Sequence, residues 1–578
     1  MTKLLSLILV GCSFGFAQSW PQWGQNPQHS GQVSVVGQRA GEQLAEITYD
    51  PLVPKEQADD GGELLAHYQA PLTDGNDLFM EFKAGTWVAC NSGASPCGAD
   101  AWNSEIWGEK RYQWQHGKLV EQWSFQSDWK PEPSAGGLGG WEPVFHAALA
   151  GNYVYVPGAA GSVYKLNRGD GSVAQHVQPF SGSGGAANNV FVAGPLVADS
   201  AGNIYYNAIG LNLNGSPWST DVAGAWLVKV TPNDHSTMAT FTALTAGAPG
   251  AGSGCLGTFS SSQLPWPPSP DAVPPSGPCG SQRPGINIAP AIGQDGTIYT
   301  ISRAHFSSRY AYLIAANPDL SPKWSASLRD RLNDGCGSSI LPANGQPGGC
   351  RNGARAGVEP STNQLPAGQV IDQSSSSPVV APDGSILYGS YTDYNYQRGH
   401  LFHFSPSGTF LNAFDFGWDV TPAVYAHDGT YSVIVKDNHY DTGSYCFVVQ
   451  FCPTAPEGPY YITQLSSDLA PEWKFQSTNN LSCSSNSNGT VSCVSDHPGG
   501  FEWCINAPAV DSAGKVYANS EDGHLYVITQ GGALESSLFL NLAIGAAYTP
   551  LSLGPDGKIY TQNDGKLFVV GKPDVRKR

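Results

Sequence analysis

The chain has 578 residues, a formal net charge of −18, 13% charged residues and 40% hydrophobic ones. With 69 Gly, 43 Pro and 16 Trp, this composition excludes a coiled coil or helical array, which needs far more Glu, Lys, Leu and Ala, and it excludes disorder. Nucleic acid is also excluded as a partner class, because an acidic chain with no Lys/Arg-rich block before its last few residues repels phosphate.

The N-terminus reads as an address. Met1-Thr2-Lys3 carries positive charge, Leu4 to Val10 is a short apolar run, and Gly15-Phe16-Ala17 offers small residues for a signal peptidase. Such a run cannot cross a hydrocarbon core, which takes about 20 residues. Residues 1–17 are therefore expected to be a signal peptide cleaved after Ala17, and the protein to be extracytoplasmic, either secreted or periplasmic. Leu9-Val10-Gly11-Cys12 resembles a bacterial lipobox, so a lipid anchor at Cys12 is the competing expectation. Residues 18–60 are read as a strap and closing strand, 61–571 as one repeat domain, and 572–578 as a tail.

The repeat runs the length of that domain. Weak copies begin at Ala70-Pro71 and Glu142-Pro143. Clearer ones follow at Gly194-Pro195, Ala289-Pro290, Ser377-Pro378, Thr421-Pro422, Ala507-Pro508 and Thr549-Pro550. Each clear copy continues through an Asp-Gly or Ala-Gly turn to an aromatic, as in Asp295-Gly296-Thr297-Ile298-Tyr299 and Asp556-Gly557-Lys558-Ile559-Tyr560. A short apolar strand, a Gly turn and a β-branched or aromatic strand form a hairpin, and a second hairpin follows in each unit. Four antiparallel strands at a minimum spacing of 42 residues, from Pro508 to Pro550, predict an all-β, eight-bladed β-propeller. After Leu567–Val570 only eight residues remain, Gly571–Arg578, so the last blade lacks a strand. An open blade would leave an unpaired edge, and Gln43–Asp50 is expected to fill it.

These repeats resemble those of the PQQ-type β-propeller family, which includes quinoprotein dehydrogenases and the lipoprotein of the outer-membrane β-barrel assembly machinery. The likeness covers roughly residues 60–571, and Trp20-Pro21-Gln22-Trp23-Gly24-Gln25-Asn26 is similar to the opening of such domains. The resemblance implies that Trp123, Trp324 and Trp473 dock neighbouring blades, with Gln175 standing where blade two would carry its Trp. Its catalytic part is not matched. The chain has no Cys-Cys dipeptide and no Cys-x-x-Cys-His, so no cofactor is expected, with PQQ and calcium kept for an enzymatic alternative.

The spacing between repeats varies from 42 to 95 residues. The excess falls at 83–106, 208–225 and 437–459, between second and third strands, and at 243–288, 329–376 and 476–506, between blades. In a meander both kinds of connection leave the same face. One face is thus expected to be smooth and the other elaborated, and functional residues favour loops held on a rigid scaffold. Cysteines support this reading. Cys90 with Cys97, Cys255 with Cys279, Cys336 with Cys350, Cys446 with Cys452, and Cys483 with Cys493 form local pairs inside single insertions, leaving Cys504 over. In an exported chain these are disulfides, and no zinc-type spacing with His is present.

Residues ending a second strand or entering an inner strand should crowd the channel mouth on the elaborated face. By position these are Glu81, Glu142, Asn207, Arg303, Asp419, Lys436, Asp437, Asn506 and Asn519. A mixed polar set around one opening can orient a polar ligand; satisfied polar groups lining a hydrated channel are the competing reading. Arg303, His305 and Arg309 cluster in one loop and Arg329 and Arg331 follow in the next insertion, a set that can receive a carboxylate or phosphate or simply pair with Asp330 and Asp334. His439 stands beside Asp437 and Asp441 as an acid–base or metal group, or simply solvated. Trp102, Trp107, Trp218, Trp266 and Trp503 could stack on sugars or a partner, or anchor loops. No nucleophile elbow, phosphate loop or calcium loop is found. The expected function is a binding or scaffold propeller taking a protein, polar small molecule or glycan at its elaborated face. A PQQ-dependent oxidoreductase of alcohols or sugars, and a carbohydrate-binding or carbohydrate-processing propeller, are the alternatives.

Overall fold

Short runs of Val, Ile, Tyr and Phe bounded by Gly turns can bury two faces only by stacking against like sheets, and the chain does this eight times. The computed structural model describes residues 19–59, 62, 64–88, 102–133, 141–182, 189–213, 217–338, 340–346, 348–392, 394, 399–417, 420–438, 458–485, 490–503, 506–541 and 549–573. Blade 1 comprises Leu72–Asp74, Asp77–Gly85, Glu105–Gln115 and Lys118–Gln126, in that order from the axis outward. Blades 2 to 7 repeat the meander and end at Val173–Val177, Ser236–Thr240, Pro322–Ser327, Phe410–Asp415, Pro471–Gln476 and Leu534–Phe539. Helix is confined to short pieces such as Val53–Asp59 and Phe241–Leu244.

Blade 8 has three strands from the C-terminal end, Ser552–Leu553, Ile559–Asn563 and Lys566–Gly571. Its fourth is Glu42–Thr48, antiparallel to Lys566–Gly571 with Glu46 opposite Phe568 and a bulge between Gln43 and Ala45. The ring is thus closed by the N-terminal segment, as the missing strand required. Blades 3 and 4 depart from the simple repeat. Their inner strands come in two pieces, Val190–Val192 with Val197–Ala198, and Gln282–Pro284 with Ala291–Ile292, both pieces pairing with the same second strand. In blade 4 the break includes Asn287 at φ 67. The predicted insertion 243–288 therefore ends inside a blade, because Gln282–Pro284 already belongs to the sheet.

Blades are latched to their neighbours at the short-turn end. Trp123 Nε1 donates to Arg168 O (2.9 Å) and Trp324 Nε1 to Pro406 O (3.1 Å), each in the turn between the third and outer strands of the next blade. Those turns carry Gly171 and Gly408, where an added Cβ would stand 2.7 and 2.6 Å from the indole. Only glycine lets the ring come so close. At Gln175 the Trp is missing, and Lys165 takes its task, donating from Nζ to Pro232 O and Asp234 Oδ1 of blade 3, both at 2.8 Å.

The N-terminal strap closes the same end of the channel. Trp20 exchanges two backbone bonds with Thr73 of blade 1. The carbonyls of Pro21, Pro27, Gln28, Ser30 and Gly31 then accept from Leu149, Ile292, Val380, Val424 and Val510, at 2.6 to 2.9 Å. Gln22 Oε1 accepts from Ala198 N (2.6 Å), and Gln38 N donates to Gly557 O (2.8 Å). The strap thereby bonds to the inner strands of blades 1 to 7 in ring order and to the first turn of blade 8. Its own Trp20, Trp23 and His29 are buried against the ring. Burial holds His29 near 4 and His146 near 3, so both stay neutral at physiological pH.

Candidate functional site

The turns between first and second strands, and between third and outer strands, hold five residues or fewer throughout the described blades. Every long connection leaves the other end. These connections include 86–104, 211–223, 245–281, 328–378, 439–459 and 477–508, together with 49–71 and 127–147. The last two were not anticipated; weak first repeats hid how much chain separates blades 8, 1 and 2.

The end bearing these insertions is not an open mouth. Residues 372–376, which precede blade 5, cross it. Gln373 O accepts from His67 Nε2 (3.1 Å), and His67 precedes blade 1, on the far side of the ring. Asp372 O accepts from Asn287 Nδ2 (3.4 Å), ahead of blade 4, and Ser375 Oγ accepts from Asn506 Nδ2, ahead of blade 7. Ser377 N donates to Thr421 Oγ1 (3.0 Å), ahead of blade 6.

The residues expected at the mouth mostly stitch blades together. Asn207 donates to Ile288 O and Thr300 Oγ1, both at 3.0 Å. Asn506 O accepts from Thr421 N (2.8 Å). Asn519 donates to Thr549 O (3.0 Å) and Gln562 O (3.1 Å), while its Oδ1 has no partner among the described residues. Asp437 is buried between Thr463 Oγ1 (2.9 Å) and Lys474 Nζ (2.6 Å), and Lys436 is buried beside it. Asp419 lies outside the described residues. Only Glu81 and Glu142 are brought into one electrostatic group. Arg303 belongs to another.

The first group surrounds Lys83. Its Nζ lies 3.1 Å from Asp50, 2.6 Å from Glu56, 3.3 Å from Glu105 and 2.8 Å from Glu142, and every one of these side chains is nearly inaccessible. Trp107 Nε1 donates to Glu142 (3.2 Å), and Glu81 accepts from Gln69 N (2.8 Å). Four carboxylates around one ammonium leave a buried negative excess. Burial pushes Glu56 and Glu142 up to about 8 and Glu105 to about 7, with Lys83 pulling each back. Burial likewise lifts Glu81 well above the carboxylate range and Glu109 to about 8.

The second group surrounds Asp372. Arg283 forms a two-pronged pair with it (2.8 and 2.6 Å), and Arg303 Nη1 adds a contact at 3.2 Å. Against the cost of burial, these guanidiniums hold Asp372 down at about 2. Arg283 lies 5.3 Å over the Trp218 ring and donates to His305 Nδ1 (3.0 Å). Glu132 is fully buried nearby, with no hydrogen-bond partner on either oxygen among the described residues, and burial raises it to about 8.

A third group was not anticipated. His400 Nε2 faces Asp415 Oδ1 at 2.5 Å and Asp334 Oδ2 at 2.7 Å, with Tyr394 donating to the other oxygen of Asp334. Against burial, the two carboxylates lift His400 to about 10. Asp334 was expected to pair with arginine, but Arg329 instead lies 3.9 Å over Tyr310, and Arg331 donates to Ser327 O. Arg309 pairs with Glu359. Trp102, Trp107, Trp218, Trp266 and Trp503 are all buried, so they anchor loops rather than offer rings to solvent. His439 lies outside the described residues. A sequence signal existed only for Lys83, which alternates with Glu81 along an otherwise apolar strand.

Three disulfides hold the insertions. Cys255–Cys279, Cys336–Cys350 and Cys483–Cys493 are formed. Cys90, Cys97, Cys446, Cys452 and Cys504 lie outside the described residues. Two clefts flank the Cys483–Cys493 hairpin, Leu481–Ser485 with Val491–Ser495. One of about 460 Å³ is lined by Tyr460, Asp496, His497, Glu502 and Glu521. One of about 570 Å³ is lined by Phe475, Asn479, Leu481, His524 and Tyr526. No helix among the described residues is long and apolar enough to cross a membrane.

No protein-family model matches the chain, and no curated protein does. Solved structures do. The quinohemoprotein alcohol dehydrogenase from Comamonas testosteroni is similar at TM-score 0.50 and 10% identity, covering 97% of this chain and 82% of that one. A europium-containing methanol dehydrogenase is similar at 0.48 and 10%, covering 94% and 89%. BamB from Moraxella catarrhalis is similar at 0.38 and 11%, covering 92% and 99%. At these identities the likeness is one of fold: the eight-bladed propeller expected from the PQQ-type repeats.

Proposed function

We propose that this propeller is an extracytoplasmic, non-catalytic binding or scaffold protein that engages a protein, glycan or other polar ligand through its insertion-bearing end. One observation carries the reading. The strap bonds to all eight blades at one end, while the disulfides and the cleft lined by Asp496, His497 and Glu502 belong to insertions at the other. Crosslinked insertions favour an oxidising compartment and present fixed rather than wandering loops. Site-specific photo-crosslinkers test this in the native envelope or culture medium. Adducts are expected from His497 and Glu521, and none from Asp295 or Asp319 in the short turns. Equal labelling at both ends would sink the proposal. Mass spectrometry of the mature N-terminus decides between cleavage after Ala17 and lipidation at Cys12.

The fold shared with the Comamonas dehydrogenase supports testing for PQQ chemistry, but the described residues near the axis do not fit that group. PQQ carries three carboxylates and needs cations to receive them. Lys83 is already enclosed by four carboxylates, and Arg283 and Arg303 are engaged by Asp372. Residues 372–376 also occupy the axial position. Supplying PQQ and calcium with an alcohol or sugar, and following dye reduction, tests the oxidoreductase reading. A glycan array tests the carbohydrate reading.

A further inference from the structure

We infer that Asp334, His400 and Asp415 form a site for one divalent transition-metal ion, with Zn²⁺ the ion that suits the donor set. The three residues come from different segments. His400 begins the third strand of blade 5, Asp415 ends its outer strand directly opposite, and Asp334 belongs to the insertion stapled by Cys336–Cys350. One ligand atom from each lies within 4.8 Å of the others.

Three features distinguish the site from an ordinary ion pair. Two carboxylate oxygens converge on the same ring nitrogen, which carries at most one proton and so satisfies one acceptor well. A cation in place of that proton satisfies both. The outer contacts are also those a metal site uses. Thr392 Oγ1 holds His400 Nδ1 at 3.2 Å, and Tyr394 fixes the Asp334 oxygen that points away. Finally, access is graded. The His400 side chain is 1% exposed, while those of Asp334 and Asp415 are 23% and 28% exposed. An ion can enter from the carboxylate side and keep water in its remaining positions.

The Lys83 group makes the contrast. Glu56, Glu105 and Glu142 also converge within 4.8 Å, but a permanent ammonium fills their centre. Among the described residues, no Lys or Arg fills the centre of the blade 5 group. One nitrogen and two oxygens suit Zn²⁺, Co²⁺ or Mn²⁺ better than Ca²⁺ or Mg²⁺, which prefer all-oxygen shells. The carboxylates must swing outward for an ion to enter, since four-coordinate Zn²⁺ at about 2.0–2.2 Å from each donor needs more room than the present spacing gives.

The test uses the full mature protein, stripped with EDTA. Calorimetric titration with ZnCl₂ is expected to show one equivalent bound, and Co²⁺ to give visible d–d bands that Zn²⁺ abolishes. Asp415→Asn and His400→Gln should each weaken Zn²⁺ binding at least 100-fold, Tyr394→Phe about 10-fold, and Glu105→Gln not at all. Circular dichroism checks that the variants fold. If they do not, zinc-edge X-ray absorption on the wild type decides, with one imidazole among oxygen donors expected. No binding at millimolar Zn²⁺, binding indifferent to Asp415→Asn and His400→Gln, or a shell containing sulfur or lacking imidazole overturns the site.

Discussion

The two ends of the ring solve the problem of backbone satisfaction in opposite ways. At the strap end one extended segment offers a carbonyl or amide to each blade in turn, with few charged groups buried. At the insertion end the same inner strands begin among Asn, Ser, Thr and three groups of charged side chains, tied by 372–376. A repeated strand start can be met by a repeated partner, whereas loops of unequal length must be satisfied individually. The strap end is therefore where the ring holds itself together. The insertion end is where its chemistry can vary.

The sharpest way to break this contrast is to remove the strap and closing strand, residues 19–48. That deletion opens blade 8 and takes the buried Trp20 and Trp23 out of the core, so no cooperative unfolding transition is expected by calorimetry. Deleting the hairpin 481–495, whose Val491 and Val494 are already exposed, should leave the main transition nearly in place. A strapless protein with a wild-type melting curve would end the distinction.

Next in size is Lys83→Met. Removing one partner of a buried ionic group costs about 3–5 kcal/mol, because the carboxylates lose the ammonium they surround. The pH dependence has a definite sign. Glu56, Glu105 and Glu142 have folded values near 8, 7 and 8, above the ordinary 4.5. Between those limits the folded state holds protons that the unfolded state has released, so stability from this group is complete below about 4.5 and falls as pH rises toward 8. Lys83 lowers all three, so its loss should hurt most at pH 8 and least at pH 5. Thermal unfolding of both proteins across that range reads the difference. A gap that widens toward acid would contradict the assignment.

Replacing Cys255 and Cys279 by Ser probes the insertion end alone. Loop-closure entropy for a separation of 24 residues gives about 3.5 kcal/mol as an upper figure. The loss should be local, seen as faster proteolysis within 245–281 while the ring's main transition moves little. A whole-ring shift of the full amount would show that insertions are structural members.

What the residues revealed in advance follows the same division. The Pro-to-Tyr units, the short turns, the missing eighth strand and the docking Trp residues all obey local periodicity, which a single chain displays openly. The charged groups do not. Lys83 meets Asp50, Glu56, Glu105 and Glu142 across 22 to 59 positions of sequence, and nothing in local spacing announces such a meeting. His400 sits in Gly399–Phe404, where it and His403 look like filler among Leu and Phe; the arrival of Asp334 from a distant loop, beside Asp415 of the outer strand, gives it chemistry. Arg303, Lys436, Asp437 and Asn519 stand at or near the ends of second strands and Glu81 in the middle of one, but the crossing by 372–376 is a tertiary event that no strand pattern announces.

The smallest predicted effect is the most discriminating within the latched end. Trp123→Phe keeps a ring against Gly171 but loses the bond to Arg168 O, a change of about 1 kcal/mol. Lys165→Met removes the corresponding latch between blades 2 and 3, where the bonds are charge-assisted and Asp234 is 28% exposed, so screening limits the pair to about 1 kcal/mol or less. Salt separates them. At 1 M NaCl the screening length falls to about 3 Å, so the Lys165→Met penalty should shrink while the Trp123→Phe penalty persists, since a buried indole bond and its packing carry no net charge. If both respond alike to salt, the contact of Lys165 with Pro232 and Asp234 of blade 3 is held by packing and not by its charge.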